Sequence, residues 1–218
     1  MDRQEVAQRT KGCGIVAVYR TMDTTNLIDA AKAAADGGLT VLEFTLTMPK
    51  ALDLVERARA KLPTNVALGA GTVLDAETAR LAIMAGADFV VSPALDLKTI
   101  EMCHRYNVPM APGVFTPTEI LQAWQAGADM IKIFPSFPLG PRFVAEVSGP
   151  FPGIPFVMAA IGDLNLIPDY IANGAAACCV LGNAIGGAEA YAKGRYDAVT
   201  KAAQALATAV VQGRKQRA

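Results

Sequence analysis

The chain has 218 residues, 52% hydrophobic and 18% charged, enough apolar material for a sizeable core within one domain. Twenty Lys+Arg balance twenty Asp+Glu, which excludes the basic excess of a nucleic-acid or membrane-surface binder. No segment approaches the roughly 20 unbroken apolar residues of a membrane span, so neither nucleic acid nor membrane is an expected partner.

The opening Met1-Asp2-Arg3-Gln4-Glu5 is charged, unlike a signal peptide, and residues 1–12 read as a short lead-in. Strands are then predicted at Gly14–Tyr19, Val41–Leu46, Val66–Gly71 and Asp88–Ser92. Four more follow at Val108–Pro112, Met130–Phe134, Pro155–Ala160 and Ala177–Leu181. Most are near-continuous apolar runs, the pattern of parallel strands covered on both faces. Amphipathic stretches alternate with them. Asp23/Thr24 precede a helix over Asn26–Asp36 that Gly37-Gly38 closes, and Met48-Pro49 opens Lys50–Lys61. Asp75 precedes Ala76–Ala85, a helix spans Lys98–Tyr106, and Thr116-Pro117 opens Thr118–Ala126. Between Pro135 and Pro155 glycine and proline are dense, and Val144–Val147 is the best helical candidate.

Ala-Gly-Ala-Asp occurs twice, at Ala85–Asp88 and Ala126–Asp129, and Asn173-Gly174-Ala175 resembles a third copy of that helix-to-strand turn. An Ala-rich segment, Glu189–Gln212, can pack on the body of the protein or on a neighbour. The tail Arg214-Lys215-Gln216-Arg217 reads as solvated and frayed. Eight strands alternating with helices imply an α/β fold, a (β/α)8 TIM barrel in a single domain over 1–218. The C-terminal helical segment and tail would be 189–218, and the competitor is a doubly wound open sheet. Cys13, Cys103, Cys178 and Cys179 form no C-x-x-C pair, and the last two read as small buried residues. A reducing, cytoplasmic setting is the expectation.

Two charges sit inside apolar strands. Lys132 lies at the centre of Met130-Ile131-Lys132-Ile133-Phe134, where desolvation disfavours the ammonium form. A neutral amine inside a barrel is a nucleophile suited to carbonyls; the alternatives are a structural ion pair or a lysine reaching solvent. Glu43 lies in Val41-Leu42-Glu43-Phe44-Thr45-Leu46 and shares a face with Thr45 and Thr47, so it can meet Lys132 across the interior. Gly69-Ala70-Gly71-Thr72 lacks the third glycine of a dinucleotide fingerprint and reads as a tight strand-to-loop turn. Arg20, at a strand exit, can grip a carboxylate or a phosphate, or simply be exposed. His104 is the only histidine and reads as a surface residue, which removes a His-rich metal site; no metal or other cofactor is expected. Trp124 and Tyr170 read as packing residues.

Taken together, the chain resembles the 2-keto-3-deoxy-6-phosphogluconate (KDPG) and 4-hydroxy-2-oxoglutarate (KHG) aldolase family. The likeness covers roughly residues 12–187. It rests on I-V-A-V-Y-R (15–20), L-E-F-T-L-T-M-P (42–49), G-A-G-T-V (69–73), V-V-S-P (90–93), A-P-G-V-F-T-P-T-E (111–119) and I-K-I-F-P (131–135). The resemblance implies a class I lyase that joins or splits pyruvate and an aldehyde, with Lys132 as Schiff-base lysine and Glu43 as general acid/base. It implies substrate contacts at Arg20, Thr72, Pro93 and Phe134, and a homotrimer; Thr47, on the face of Glu43, is a further candidate contact. A KHG aldolase giving pyruvate and glyoxylate is one alternative. A sugar-phosphate isomerase or epimerase, or a non-catalytic barrel that binds a keto acid, are others.

One stretch departs from the family. Its members usually carry P-T-G-G where this chain has Met158-Ala159-Ala160-Ile161 before Gly162-Asp163, and a serine where it has Asn183. A glycine pair reaches φ > 0 and lets backbone approach an anion, whereas Ala-Ile is expected not to. Asp163 would add repulsion if it faced a phosphate. The expectation is that phosphate recognition is weakened, leaving Gly162 and Asn183 as contacts at that end.

Overall fold

Every strand pairing is parallel, and the sheet runs in the order β5-β4-β3-β2-β1-β9-β8-β7-β6. The computed structural model describes residues 1–217; Ala218, the end of the expected tail, lies outside the described residues. The first four strands are β1 (Ile15–Tyr19), β2 (Val41–Thr45), β3 (Ala67–Gly71) and β4 (Phe89–Val91). Next come β5 (Met110–Ala111), β6 (Gly113–Val114), β7 (Ile131–Ile133), β8 (Phe156–Met158) and β9 (Ala177–Leu181). The two ends of the sheet, β5 and β6, are halves of one strand divided at Pro112, which has no N–H to donate to a ladder. The chain itself therefore closes the barrel, and Pro112 keeps its acceptor role, taking the Lys132 amide at 2.9 Å. The expected strand Val108–Pro112 thus runs further, to Val114.

Helices cover the outside: α1 (Arg3–Cys13), α2 (Leu27–Asp36), α3 (Ala51–Lys61), α4 (Ala76–Met84) and α5 (Leu97–Arg105). The second half has α6 (Pro117–Gln125), α7 (Arg142–Ser148), α8 (Ile167–Ala172), α9 (Gly187–Ala192) and α10 (Tyr196–Arg217). Period-two alternation along the strands sorts the core into two layers. Ile15, Leu42, Phe44, Leu68 and Ile131 point outward to the helices. Val16, Val41, Phe89, Val91, Met130 and Val157 point inward and fill the lower half of the barrel.

Three features correct the sequence reading. The lead-in 1–12 is a helix: Asp2 and Glu5 form a capping box, and Val6 is inserted under the barrel into the inner layer. The segment 189–218 packs on this same chain, with α10 against α2 and α8 through Val199, Ala203, Leu206 and Val210. Its basic end is solvated but helical, and Arg214 donates to the carbonyls of Lys11 and Gly12 at 2.6 and 2.9 Å, capping the end of α1.

The repeated Ala-Gly-Ala-Asp has a physical cause. Gly86 and Gly127 adopt φ +97° and +87°, ending α4 and α6 in a left-handed residue while the next amide reaches back to the last helical turn. Asp88 then accepts the Leu68 amide of β3 at 2.9 Å, and Asp129 accepts the Met110 amide of β5 at 3.0 Å. Each aspartate also holds an arginine: Arg59 with Asp88 at 2.7 Å and Arg3 with Asp129 at 2.8 Å. Gly174, at φ +108°, repeats the turn without the aspartate, since Ala176 stands there.

Candidate active site

Above the apolar plug the barrel opens into a cavity of about 500 Å³, at the C-terminal ends of the strands. This is the end at which (β/α)8 enzymes place their chemistry. Arg20 borders it from the exit of β1, Glu43 from β2, Lys132 and Phe134 from β7 and beyond. Ala159–Gly162 contribute from beyond β8, and Leu181 and Asn183 from the end of β9.

Glu43 and Lys132 face each other. Strands β1, β9 and β8 separate β2 from β7 on one side, and β3, β4 and the divided β5/β6 strand on the other. The two residues therefore stand on opposite staves. Lys132 is 8% exposed and Glu43 1% exposed, yet among the described residues no ion pair within 4.0 Å joins them. A structural Lys–Glu pair is thereby excluded, and the gap between them is part of the cavity. Glu43 reaches its position because Gly71 on β3 has no side chain: a Cβ there would overlap the carboxylate. Its Oε2 is buried without a hydrogen-bond partner. Burial pushes the Glu43 carboxyl above its ordinary value, and the positive charges of Lys132 and Arg20 offset only part of that rise. The Lys132 Nζ lies 5.3 Å from the centre of the Phe134 ring, which fixes the amine over an aromatic face.

At the rim, Arg20 donates to Thr72 Oγ1 at 3.0 Å. Thr72 holds φ +60°, rare for a β-branched residue and of the kind that concentrates at functional sites. Thr72, Thr47 and Pro93 do not border the cavity. Thr47 is exposed beyond the end of β2 and shares a hydrogen bond with Thr45 at 3.0 Å; Thr45 in turn donates to the Tyr19 carbonyl at 3.1 Å. Pro93 is half-buried, and its carbonyl abuts Gly113.

The loop after β8 overturns one expectation. Ala160 does adopt positive φ, +56°, and Gly162 follows at +78°. The left-handed turn survives without a glycine pair, at the strain of an L-residue in that region, about 1–2 kcal/mol. Asp163 does not border the cavity; its carboxylate accepts the Asn165 amide and caps the short 3-10 turn Leu164–Leu166.

Two contributors escaped the sequence reading. Cys179 on β9 borders the cavity instead of merely filling the core, and burial pushes its thiol up to about 12, with Glu43 adding to the rise and Lys132 opposing it. A thiol so placed stays protonated at neutral pH and is no nucleophile. Strand parity from Ala177 gives its inward direction. Ser136 is fully buried, and its Oγ donates to the Ala159 carbonyl at 2.6 Å, tying the Phe134-Pro135 cis segment to the loop after β8. Nothing in a serine following proline signals that role.

Elsewhere, His104 is half-buried rather than on the surface, with Nε2 at 2.8 Å from Arg3 and against the Gly127 carbonyl, under the opposite end of the barrel. Tyr170 is fully buried as expected, but Trp124 is 40% exposed. Among the described residues no group of three His, Cys, Asp or Glu could hold a metal ion, and no helix is long and apolar enough to cross a membrane.

The family model and the sequence relatives agree on one family. Residues 6–202 match the family described as KDPG and KHG aldolase. A 2-dehydro-3-deoxy-phosphogluconate aldolase of Pseudomonas aeruginosa is 36% identical over 159 residues, 72% of this chain and 70% of the relative. A KHG/KDPG aldolase of Escherichia coli K12 is 32% identical over 203 residues, 92% of each chain. A solved KDPG aldolase of Legionella pneumophila, with pyruvate captured as a covalent carbinolamine, superposes with a TM-score of 0.83 at 23% identity. That superposition covers 92% of this chain and 97% of the other, and shows the shared fold.

Proposed function

Because the chain belongs to the KDPG and KHG aldolase family, we propose that it is a class I aldolase whose Lys132 forms the Schiff base and whose Glu43 moves the protons. The substrate class is a 4-hydroxy-2-keto acid, split into pyruvate and an aldehyde or assembled from them. The Lys132 amine attacks the C2 ketone to give a carbinolamine. Glu43, protonated, delivers the proton with which the C2 oxygen leaves as water, and the resulting iminium withdraws electrons from C3. Glu43, now a carboxylate, takes the C4 hydroxyl proton as the C3–C4 bond breaks, and the bonding pair comes to rest in the enamine. Returning that proton to C3 and hydrolysing the imine release pyruvate and restore the amine. A covalent imine replaces one hard carbanion step with several easier ones, and positioned proton transfer adds about 10²–10⁴-fold. Arg20, held by Thr72, supplies donors to substrate oxygens, Phe134 supports the amine, and Gly162 and Asn183 border the aldehyde end.

The observation that carries this reading is an enclosed amine with no ion-pair partner, facing a buried carboxylate across a cavity about 500 Å³ in volume. A structural lysine would be paired; a nucleophile must be free. Burial that holds the Glu43 carboxyl above its ordinary value favours the protonated form that it needs as a proton donor. The test is borohydride reduction in the presence of pyruvate, followed by peptide mapping. We expect one adduct, 72 mass units for a reduced pyruvyl group as a rough figure, on Lys132. An unlabelled chain, as a sugar-phosphate epimerase or a passive keto-acid binder would give, would end the proposal.

We also propose a homotrimer working in the reducing cytoplasm. The four cysteines are free thiols, and several exposed apolar side chains, Met84 at 69% and Leu97 at 52% among them, suit burial against another copy. Sedimentation equilibrium at micromolar concentration tests the subunit number.

A further inference from the structure

The mouth of the cavity differs in chemistry from its depths. Phe137 is 62% exposed, Leu181 50%, Phe134 38% and Leu164 37%, and all four border the opening above Lys132. Ile161 and Ala184 continue the same apolar wall. Large side chains left facing water around a concave site mark a place where an apolar group docks.

Cationic side chains are few there. Arg20 is the one cation besides Lys132 among the described residues that border the cavity, and its guanidinium already donates to Thr72. Two amides of the flanking loops are turned inward, Phe137 to the Ala160 carbonyl at 2.9 Å and Asp163 to the Ile161 carbonyl at 3.0 Å.

We propose that the aldehyde partner carries an uncharged apolar substituent, aryl or branched alkyl, seated against Phe137, Leu164 and Leu181. The substrate class is then R–CH(OH)–CH₂–CO–COO⁻ with R apolar. This rests on the aldolase reading and narrows it. The step balances without a further reactant: the C3–C4 bond breaks, its electron pair passes to the enamine on Lys132, and the C4 hydroxyl proton goes to Glu43. R–CHO departs, and the enamine takes that proton at C3 before hydrolysis to pyruvate. Each methylene that such a wall receives is worth roughly 10-fold or more in kcat/KM.

The experiment compares pyruvate release from 4-hydroxy-2-oxo-4-phenylbutanoate and from 2-keto-3-deoxy-6-phosphogluconate. We expect kcat/KM at least about tenfold higher for the phenyl compound. Leu181→Ser should narrow that ratio by raising KM for the phenyl substrate while kcat changes little. Parity between the two substrates, a preference for the phosphorylated one, or a ratio that Leu181→Ser does not move overturns the inference. Borohydride trapping with pyruvate, run on the parent and on the variant, reports folding and Lys132 reactivity together. A label on Lys132 without the phenyl preference removes only the apolar substituent, whereas no label in the parent removes the aldolase reading as well.

Discussion

The two ends of the barrel treat buried charge in opposite ways. Under the N-terminal end, Asp88 and Asp129 each hold an arginine and a strand amide, and the N-terminal amine reaches Asp88 at 3.5 Å. At the C-terminal end, Glu43 leaves one oxygen without a partner and Lys132 has no counter-ion within 4.0 Å. Satisfied charges at the bottom fix register and seal the barrel. Those at the top lack a protein partner and border the cavity, where a ligand can supply one.

Substitutions at each end sharpen the contrast. The largest effect is expected at Lys132: Lys132→Ala should lower kcat/KM for retro-aldol cleavage by about 10⁶-fold, as when a covalent nucleophile is taken from a catalytic unit. Thermal stability should hold or rise, because an unpaired buried group is removed. Cleavage within a factor of ten of the parent would break the proposed role.

Glu43→Gln comes next, with a loss of about 10²–10⁴-fold in kcat. It also changes the dependence of stability on pH. Because burial holds the Glu43 carboxyl above its ordinary 4.5, the folded chain binds this proton more tightly than the unfolded chain does. That contribution is complete below the unfolded value and is lost as pH rises through the higher folded one. The glutamine variant cannot ionise, so its Tm should pass above the parent's as pH rises and converge with it in acid. The opposite trend would mean that the carboxylate, not the acid, is the form the fold prefers.

At the other end, Asp88→Ala should cost about 3 kcal/mol in urea unfolding, since Arg59 loses a partly buried partner. The kcat/KM of the folded fraction should be unchanged. A large fall in activity with intact stability would erase the division between the two ends. The smallest effect is at Ala160→Gly, which relieves an L-residue at φ +56° and should raise stability by about 1 kcal/mol.

Most of the architecture was legible because parallel strands buried on both faces spell themselves as apolar runs, and helix ends carry caps and glycines. Lys132 and Glu43 were legible for the same reason, as ionisable residues interrupting such runs. The helix α1 was not, since only Val6 and Thr10 of its eleven residues are buried and no apolar stripe exists to be read; the Asp2–Glu5 spacing was its one signal. Cys179 was hidden by a neighbour of the same type, because only strand parity separates a thiol facing the cavity from Cys178 facing the helices. The left-handed Ala160 ran against residue preference: the hydrogen bonds of Ser136 to Ala159 and of Phe137 to Ala160 hold a turn that alanine alone would avoid. The apolar mouth is assembled from three separate loops and has no contiguous signature.

Val6, seated beneath the inner layer, helps to close the lower end of the barrel below the cavity. In the proposed cycle, pyruvate tethered to Lys132 would lie deeper in the barrel than the aldehyde. Departure is therefore sequential, aldehyde first and pyruvate last, with arrival reversed in synthesis. Product-inhibition kinetics should show pyruvate competing with the keto acid for free enzyme and the aldehyde acting noncompetitively. In that cycle the imine holds pyruvate until hydrolysis, and the closed lower end leaves the aldehyde only the upper route out.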